Sequence, residues 1–252
     1  MISRYASLRQ GLVGAWCPSL GASGYRLIDR SGYNHGVLTN MDPGTDWVAS
    51  GGKLALDFDG VNDYVLLRAT TYSKALSICA WVKTNASTRR ESIFTGQTSS
   101  FAPNLYVHIE PVSGSTAAMN FYSGGYYGVS SSFTQDTNWH FYVWTINQNG
   151  TISYFRDGSG LGNAATTYTG SDFTAADPSI GAINQLAGSN FTLAGQIDDF
   201  RIYNRALTPS EIQLLYTGGR GVGLMPERIK HRRKTTAAAF NRRRRILIGA
   251  SQ

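Results

Sequence analysis

The sequence is poor in cysteine, histidine and glutamate, and it has no long apolar run. Its 252 residues hold two cysteines, Cys17 and Cys79, and four histidines. Two thiols cannot build a disulfide framework, and in a chain without an evident export signal they are expected to be reduced and buried. His35, His108, His140 and His231 form no zinc-like cluster with them. The glycine-rich FYSGGYYG lacks the following helix that phosphate binding requires. No stretch approaches the roughly 20 apolar residues that span a bilayer, and the opening MISRYASLRQGLVGAW has no uninterrupted apolar core. Neither a membrane span nor a signal peptide is expected.

Glycine and aromatic residues are abundant instead: 28 Gly, 14 Tyr, 11 Phe and 5 Trp, with 42% hydrophobic and only 15% charged residues. That mixture suits short aromatic strands joined by glycine turns and argues against a helical bundle or wholesale disorder. Alternating or clustered apolar residues, bounded by Gly, Asn, Asp or Ser, predict strands at residues 11–16, 54–58, 64–68, 76–83, 92–94 and 105–109. Further strands are predicted at 117–122, 140–146, 151–156, 179–183 and 195–203. Residues 142–155 predict an antiparallel hairpin, with Asn149 and Gly150 at positive φ in a tight turn. Thr208-Pro209-Ser210-Glu211 supplies an N-cap, a proline at the first helical position and a capping-box glutamate. Ile212, Leu215 and Tyr216 then share one face of a helix that Gly218-Gly219 can end.

The formal charge of +7 is unevenly placed. Ten Lys and Arg lie from Arg220 onward against Glu227 alone, so residues 1–219 sum to −2 and the basicity belongs to the last 33 residues. The chain reads as one domain over residues 1–217, with 1–9 a lead-in, followed by a glycine hinge and a basic arm over 218–252. Within the arm, Arg232, Arg233, Lys234, Arg242, Arg243, Arg244 and Arg245 are joined by the apolar Ile246 and Leu247. Charge mixed with an apolar anchor suits a protein socket better than a bare duplex, although arginine clusters also neutralise phosphates.

The ordered series GLVGAW, IDRSGYNHG, LALDFDGVNDYV, LSICAWVK, NWHFYVWTI, YFRDG and LAGQIDDFRIYNRALTPSEIQLLY covers about residues 10–217. It resembles the laminin G-like jelly-roll domains of the concanavalin A-like lectin/glucanase superfamily. The resemblance implies an all-β fold of two stacked antiparallel sheets in a jelly roll, here with one short C-terminal helix and a basic extended arm. It also implies a structural Ca2+ site of hard oxygen ligands, which in this chain would be Asp29, Asp198 and backbone carbonyls near Asn34. A period-2 reading of residues 196–203 puts Asp198 on the face of Phe200 and Ile202, where an unpaired carboxylate is costly. Either calcium holds it, or it caps loop amides or pairs with an arginine such as Arg30.

Glycan recognition is expected from aromatic faces with polar rims, and Tyr122, Tyr126 and Tyr127, with Asn104, are the candidates; tyrosines also cover sheets as plain packing. The related glucanases carry Glu-x-Asp-x-x-Glu on one strand, and no such string occurs among Glu91, Glu110, Glu211 and Glu227. Adjacent Asp198 and Asp199 in a regular strand would face apart and make no acid/base pair. His140, following Trp139, reads as structural. The chain is therefore expected to be a non-catalytic, lectin-like structural or adhesion module. A lectin-type domain without an export signal points to a larger assembly such as a phage virion, displaying the domain on its surface and holding the arm through other structural proteins. A carbohydrate-binding lectin acting alone, and a nucleic-acid-associated protein through the arm, are the alternatives.

Overall fold

The computed structural model describes residues 5–32, 34–85, 89–97, 103–129, 131–183 and 191–223. In chain order the strands begin with β1 (Leu12–Trp16), β2 (Arg26–Leu27), β3 (Gly36–Thr39), β4 (Trp47–Ser50), β5 (Lys53–Asp59), β6 (Tyr64–Leu66) and β7 (Thr70–Tyr72). There follow β8 (Leu76–Thr84), β9 (Glu91–Gln97), β10 (Pro103–Ser113), β11 (Thr116–Tyr122), β12 (Tyr126–Gly128) and β13 (Phe133–Thr134). The last are β14 (His140–Ile146), β15 (Ile152–Arg156), β16 (Ser159–Asn163), β17 (Phe173–Ala175), β18 (Ser179–Ile180) and β19 (Ala194–Tyr203), before the helix α1 (Pro209–Gly218).

Two antiparallel sheets form a sandwich, as expected. The first has the order β16-β15-β14-β8-β19-β5-β4, with β1 also on β19; the second runs β12-β11-β10-β9-β18-β6-β3-β2, with β13 on β11. Strand alternation builds the core between them. In β8, Leu76, Ile78, Ala80 and Val82 point inward while Cys79 and Trp81 point out; in β10, Leu105, Val107 and Ile109 point inward. Trp144 joins this layer and satisfies its indole N–H by donating to the Asn120 carbonyl oxygen at 3.0 Å. Each large apolar side chain so buried contributes about 1.5–3 kcal/mol.

The helix forms where its capping signals lie. The Thr208 hydroxyl accepts from the Glu211 amide, and the Glu211 carboxylate accepts from the Thr208 amide. Ile212 and Leu215 then pack with Leu8, Cys79, Phe141, Val143 and Tyr203 on the outer face of the first sheet, and Tyr216 stacks on Trp81 at 5.7 Å. Cys17 and Cys79 are both buried free thiols. No helix among the described residues is long and apolar enough to cross a membrane.

Two expectations change. The β14–β15 hairpin pairs Tyr142 with Arg156 and Ile146 with Ile152, but its loop is wider than a two-residue turn. Gly150 has φ 83° while Asn149 is not at positive φ, and the Gly150 amide bonds the Asn147 carbonyl. Glycine is needed because a Cβ there would lie 1.9 Å from the Tyr168 carbonyl oxygen. The glycine-rich stretch after α1 is also no loose joint as far as Gly223. Arg220 donates to the Ser50 and Gly51 carbonyls and lies 4.4 Å over the Trp139 ring, and Val222 packs against the helix cluster. The arm residues Arg232, Arg233, Lys234, Arg242, Arg243, Arg244, Arg245, Ile246 and Leu247 lie outside the described residues.

Candidate functional site

Strand β19 carries a bulge. Asp199 adopts φ 49°, and the register with β8 slips between Asp198 and Arg201. There the strand also exchanges its second neighbour, from β5 along Ala194–Ile197 to β1 along Phe200–Tyr203. The extra residue resets the alternation, so Ile197, Phe200 and Ile202 all enter the core. Asp198, Asp199 and Arg201 instead meet the segment after α1 on the other side. This corrects two expectations: Asp198 does not share the face of Phe200 and Ile202, and Asp198 and Asp199 do not face apart. Asp198 Oδ1 accepts from the Ser19 amide at 3.0 Å and the Asp199 amide at 2.8 Å, and Oδ2 lies 3.4 Å from Arg220 Nε. Asp199 takes Arg201 through two bonds, at 2.7 and 2.8 Å, and the Gly221 amide at 2.7 Å. Burial pushes the Asp198 carboxyl above its ordinary range. The pattern matches amide capping plus an arginine partner, with Arg220 in that place; Arg30 donates to the Leu20 carbonyl instead.

Asp29 and Asn34 meet on another loop. Asp29 Oδ1 accepts from the Ala15 amide, the Ser31 amide and the Ser31 hydroxyl at 2.9, 2.8 and 2.7 Å, and Oδ2 accepts from the Asn34 amide at 3.2 Å. The Asn34 carbonyl accepts the Trp16 indole N–H at 2.8 Å, and its side-chain oxygen accepts the Arg68 amide at 2.9 Å. Together they border an open depression of about 260 Å³ beside Val13, Gly32, Arg68 and Thr70. Among the described residues no three His, Cys, Asp or Glu side chains gather as a metal cluster.

The outer face of β9–β12 has a different character. Strand register lines up Thr95, Tyr106, Tyr122 and Tyr126 in one row and Ser92, His108, Asn120 and Gly128 in the next. The Tyr122 and Tyr126 rings lie 5.0 Å apart at 65°, and Tyr126 is 54% exposed. Gly128 leaves room for the amide opposite, since a Cβ there would lie 2.5 Å from Asn120 Oδ1. Glu110 accepts from Arg90 Nε at 2.6 Å and from Asn120 Nδ2 at 3.0 Å. Arg90 also donates to the Tyr126 hydroxyl at 2.8 Å and lies over the Tyr126 and Phe191 rings. His108 stacks on Tyr106 at 4.3 Å, its Nε2 3.6 Å from Glu110 Oε2 and so beyond hydrogen-bond reach.

Both His108 nitrogens, Ser92 Oγ, Thr95 Oγ1 and the Tyr106 hydroxyl are buried without a hydrogen-bond partner among the described residues. A buried polar atom left without a partner costs about 1–3 kcal/mol. Burial holds His108 below the ordinary imidazole range and therefore neutral. Arg90, bonded to it at 2.6 Å, holds Glu110 below the usual carboxylate range and therefore ionised.

Of the glycan candidates, Tyr122 and Tyr126 share this face. Tyr127 does not: alternation turns its ring against Phe121 and Tyr168, at 5.8 and 6.1 Å. Asn104 stands in β10, its side chain outside the description. Arg90, His108, Glu110 and Asn120 were not expected, although LYVHIE carries a readable signal, with Tyr106, His108 and Glu110 alternating with core residues.

The profile of a family described as the Concanavalin A-like lectin/glucanases superfamily matches residues 59–213. No curated protein sequence matches the chain. Among solved structures, domain 4 of AbnA, a GH43 extracellular arabinanase from Geobacillus stearothermophilus in complex with arabinotriose, is similar with a TM-score of 0.61 and 20% identity. That match covers 80% of this chain and 96% of the other. The native heptameric SAP-like pentraxin of Limulus polyphemus gives 0.54 and 15%, covering 64% of this chain and 80% of the other. Trypanosoma rangeli sialidase in complex with sialic acid gives 0.59 and 16%, covering 82% of this chain but only 33% of the sialidase. At these identities the likeness is one of fold.

Proposed function

The chain belongs to the concanavalin A-like lectin/glucanase superfamily, and from that premise we propose that it is a non-catalytic glycan-binding module whose site is the outer face of β9–β12. One observation carries the reading. The exposed Tyr126 ring, with Tyr122 against it, stands beside the bonded array of Arg90, Glu110 and Asn120. An apolar ring face with a polar rim is what sugar stacking uses. The arabinotriose complex of the arabinanase domain, nearly all of which this chain spans, supports it.

The superfamily includes both lectins and glycoside hydrolases, so the non-catalytic part rests on this chain's own carboxylates. Glycoside hydrolysis uses two of them flanking the bond. Among the described residues, Glu110 is the one carboxylate bonded within this group, while Asp198 and Asp199 are buried in ion pairs elsewhere. Calorimetry with an oligosaccharide panel tests the reading: Tyr126→Ala should fold normally and bind about ten-fold more weakly, a loss of about 1.4 kcal/mol. Unchanged binding in that variant, or reducing ends released by the wild type, would overturn it.

The charge pattern favours a second role for the end of the chain. Residues 224–252 carry nine Lys and Arg against Glu227. We propose that they anchor the module to an acidic protein surface in a larger assembly, such as a virion. A nucleic-acid partner would instead show a salt slope that becomes shallower by about 0.7–0.9 log units for each phosphate left unneutralised when Arg242–Arg245 are replaced by alanine.

A further inference from the structure

Resting on the glycan reading above, we infer that this site takes uncharged sugars and rejects acidic ones, and that Glu110 is the residue that sets the choice. Among the described residues, Arg90 is the one cation bonded within the group, and it is already paired with Glu110, although its side chain stays 32% exposed. Its Nε is held by Glu110 at 2.6 Å, its Nη1 by the Tyr126 hydroxyl at 2.8 Å, and its plane lies over Tyr126 and Phe191. Glu110 keeps 27% of its side chain exposed, so a ligand meets its charge. His108 is kept neutral by burial and adds no second cation.

A uronate or sialate carboxylate only accepts, and it would stand against an ionised Glu110 that already holds Arg90. Rejection here works by repulsion rather than by shape.

The test pairs galactotriose with trigalacturonate and lactose with sialyllactose, with arabinotriose as a third neutral probe. In the wild type, the acidic member of a pair should bind about ten-fold more weakly or worse at about 50 mM salt, with the gap narrowing at about 500 mM as screening sets in. Glu110→Gln keeps the bond with Asn120 and releases Arg90, so it should close the gap by strengthening each acidic ligand relative to its neutral pair. An acidic sugar bound as tightly as its neutral pair, or a gap untouched by Glu110→Gln, would overturn the inference. If that variant does not fold, a wild-type gap that ignores salt does so. These outcomes leave the glycan reading standing whenever Tyr126→Ala weakens both members of a pair. Binding of none of the probes, or binding indifferent to Tyr126→Ala, removes the glycan reading and this inference with it.

Discussion

Arg220 Nε lies 3.4 Å from Asp198 Oδ2, and the two side chains retain 7% and 0% of their exposure. The pair ties the segment after α1 to the bulge in β19, where that strand leaves β5 and takes up β1. A carboxylate buried to this degree is costly alone, and the guanidinium offsets part of the cost.

Breaking the pair from one side should therefore be worse than removing it. Arg220→Met should lose about 3–5 kcal/mol of unfolding free energy, and Asp198→Asn combined with Arg220→Met should recover a large part of that loss. Urea unfolding of the two single variants and the double variant completes the cycle. Strictly additive losses would show that the two residues do not interact.

Where the chain is shortened should matter in the same way. Removing residues 224–252 should leave stability within about 0.5 kcal/mol, because the bonds of Arg220, Gly221 and Val222 remain. Removing 219–252 should cost more than about 3 kcal/mol, since Asp198 then loses its partner. Equal stability of the two truncations would mean that the clasp contributes nothing.

His140 offers a pH test. Its Nδ1 lies 2.6 Å from Asp157 and its Nε2 3.0 Å from Asp136. Burial works against its charge, but the two carboxylates prevail and raise its pKa. A folded-state value above the unfolded one, about 6.5, gives stability that is full below that pH and lost as pH climbs through the folded value. Asp136 and Asp157 are shifted down despite burial, so their share is present above about 3.9 and lost as pH falls through their folded values. The melting-temperature gap between wild type and His140→Gln should be widest between about pH 5 and 6.5 and shrink at higher pH. A gap that stays constant to about pH 9 would contradict this.

Calcium can be tested without reference to sugars. Ca2+ takes about six to eight oxygen ligands, whereas the Asp29 oxygens already accept four donors and Asp198 faces a guanidinium. Adding a chelator should leave the melting curve unchanged. A drop of several degrees restored by Ca2+ would assign an ion to the Asp29 loop.

Legibility followed the length of each pattern. His140–Ile146 is legible to the residue, and the Thr208 capping box sets the start of α1, because a seven-residue run rich in aromatic and β-branched side chains or a four-residue cap carries its own signal. Two-residue strands such as Arg26–Leu27 and Phe133–Thr134 show no period and exist only through their neighbours. The bulge at Asp199 is hidden for the same reason, since it depends on β5 giving way to β1. Of the candidate site, Tyr122 and Tyr126 are readable from their type. Arg90 reaches Glu110 from the end of the loop before β9, and only the paired strands bring the two together.

The clasp also decides where mechanical tension enters the fold. The chain leaves it after Gly223, so a pull on the C-terminal residues meets the bonds of Val222, Gly221 and Arg220 before it reaches the helix. Two of these residues, Gly221 and Val222, hang on Asp199 and Arg201 in β19, a strand paired with β8 along one edge and with β5 and β1 along the other. The load spreads into the sheet, and the capped helix with its Ile212 and Leu215 anchors stays slack until the clasp gives way.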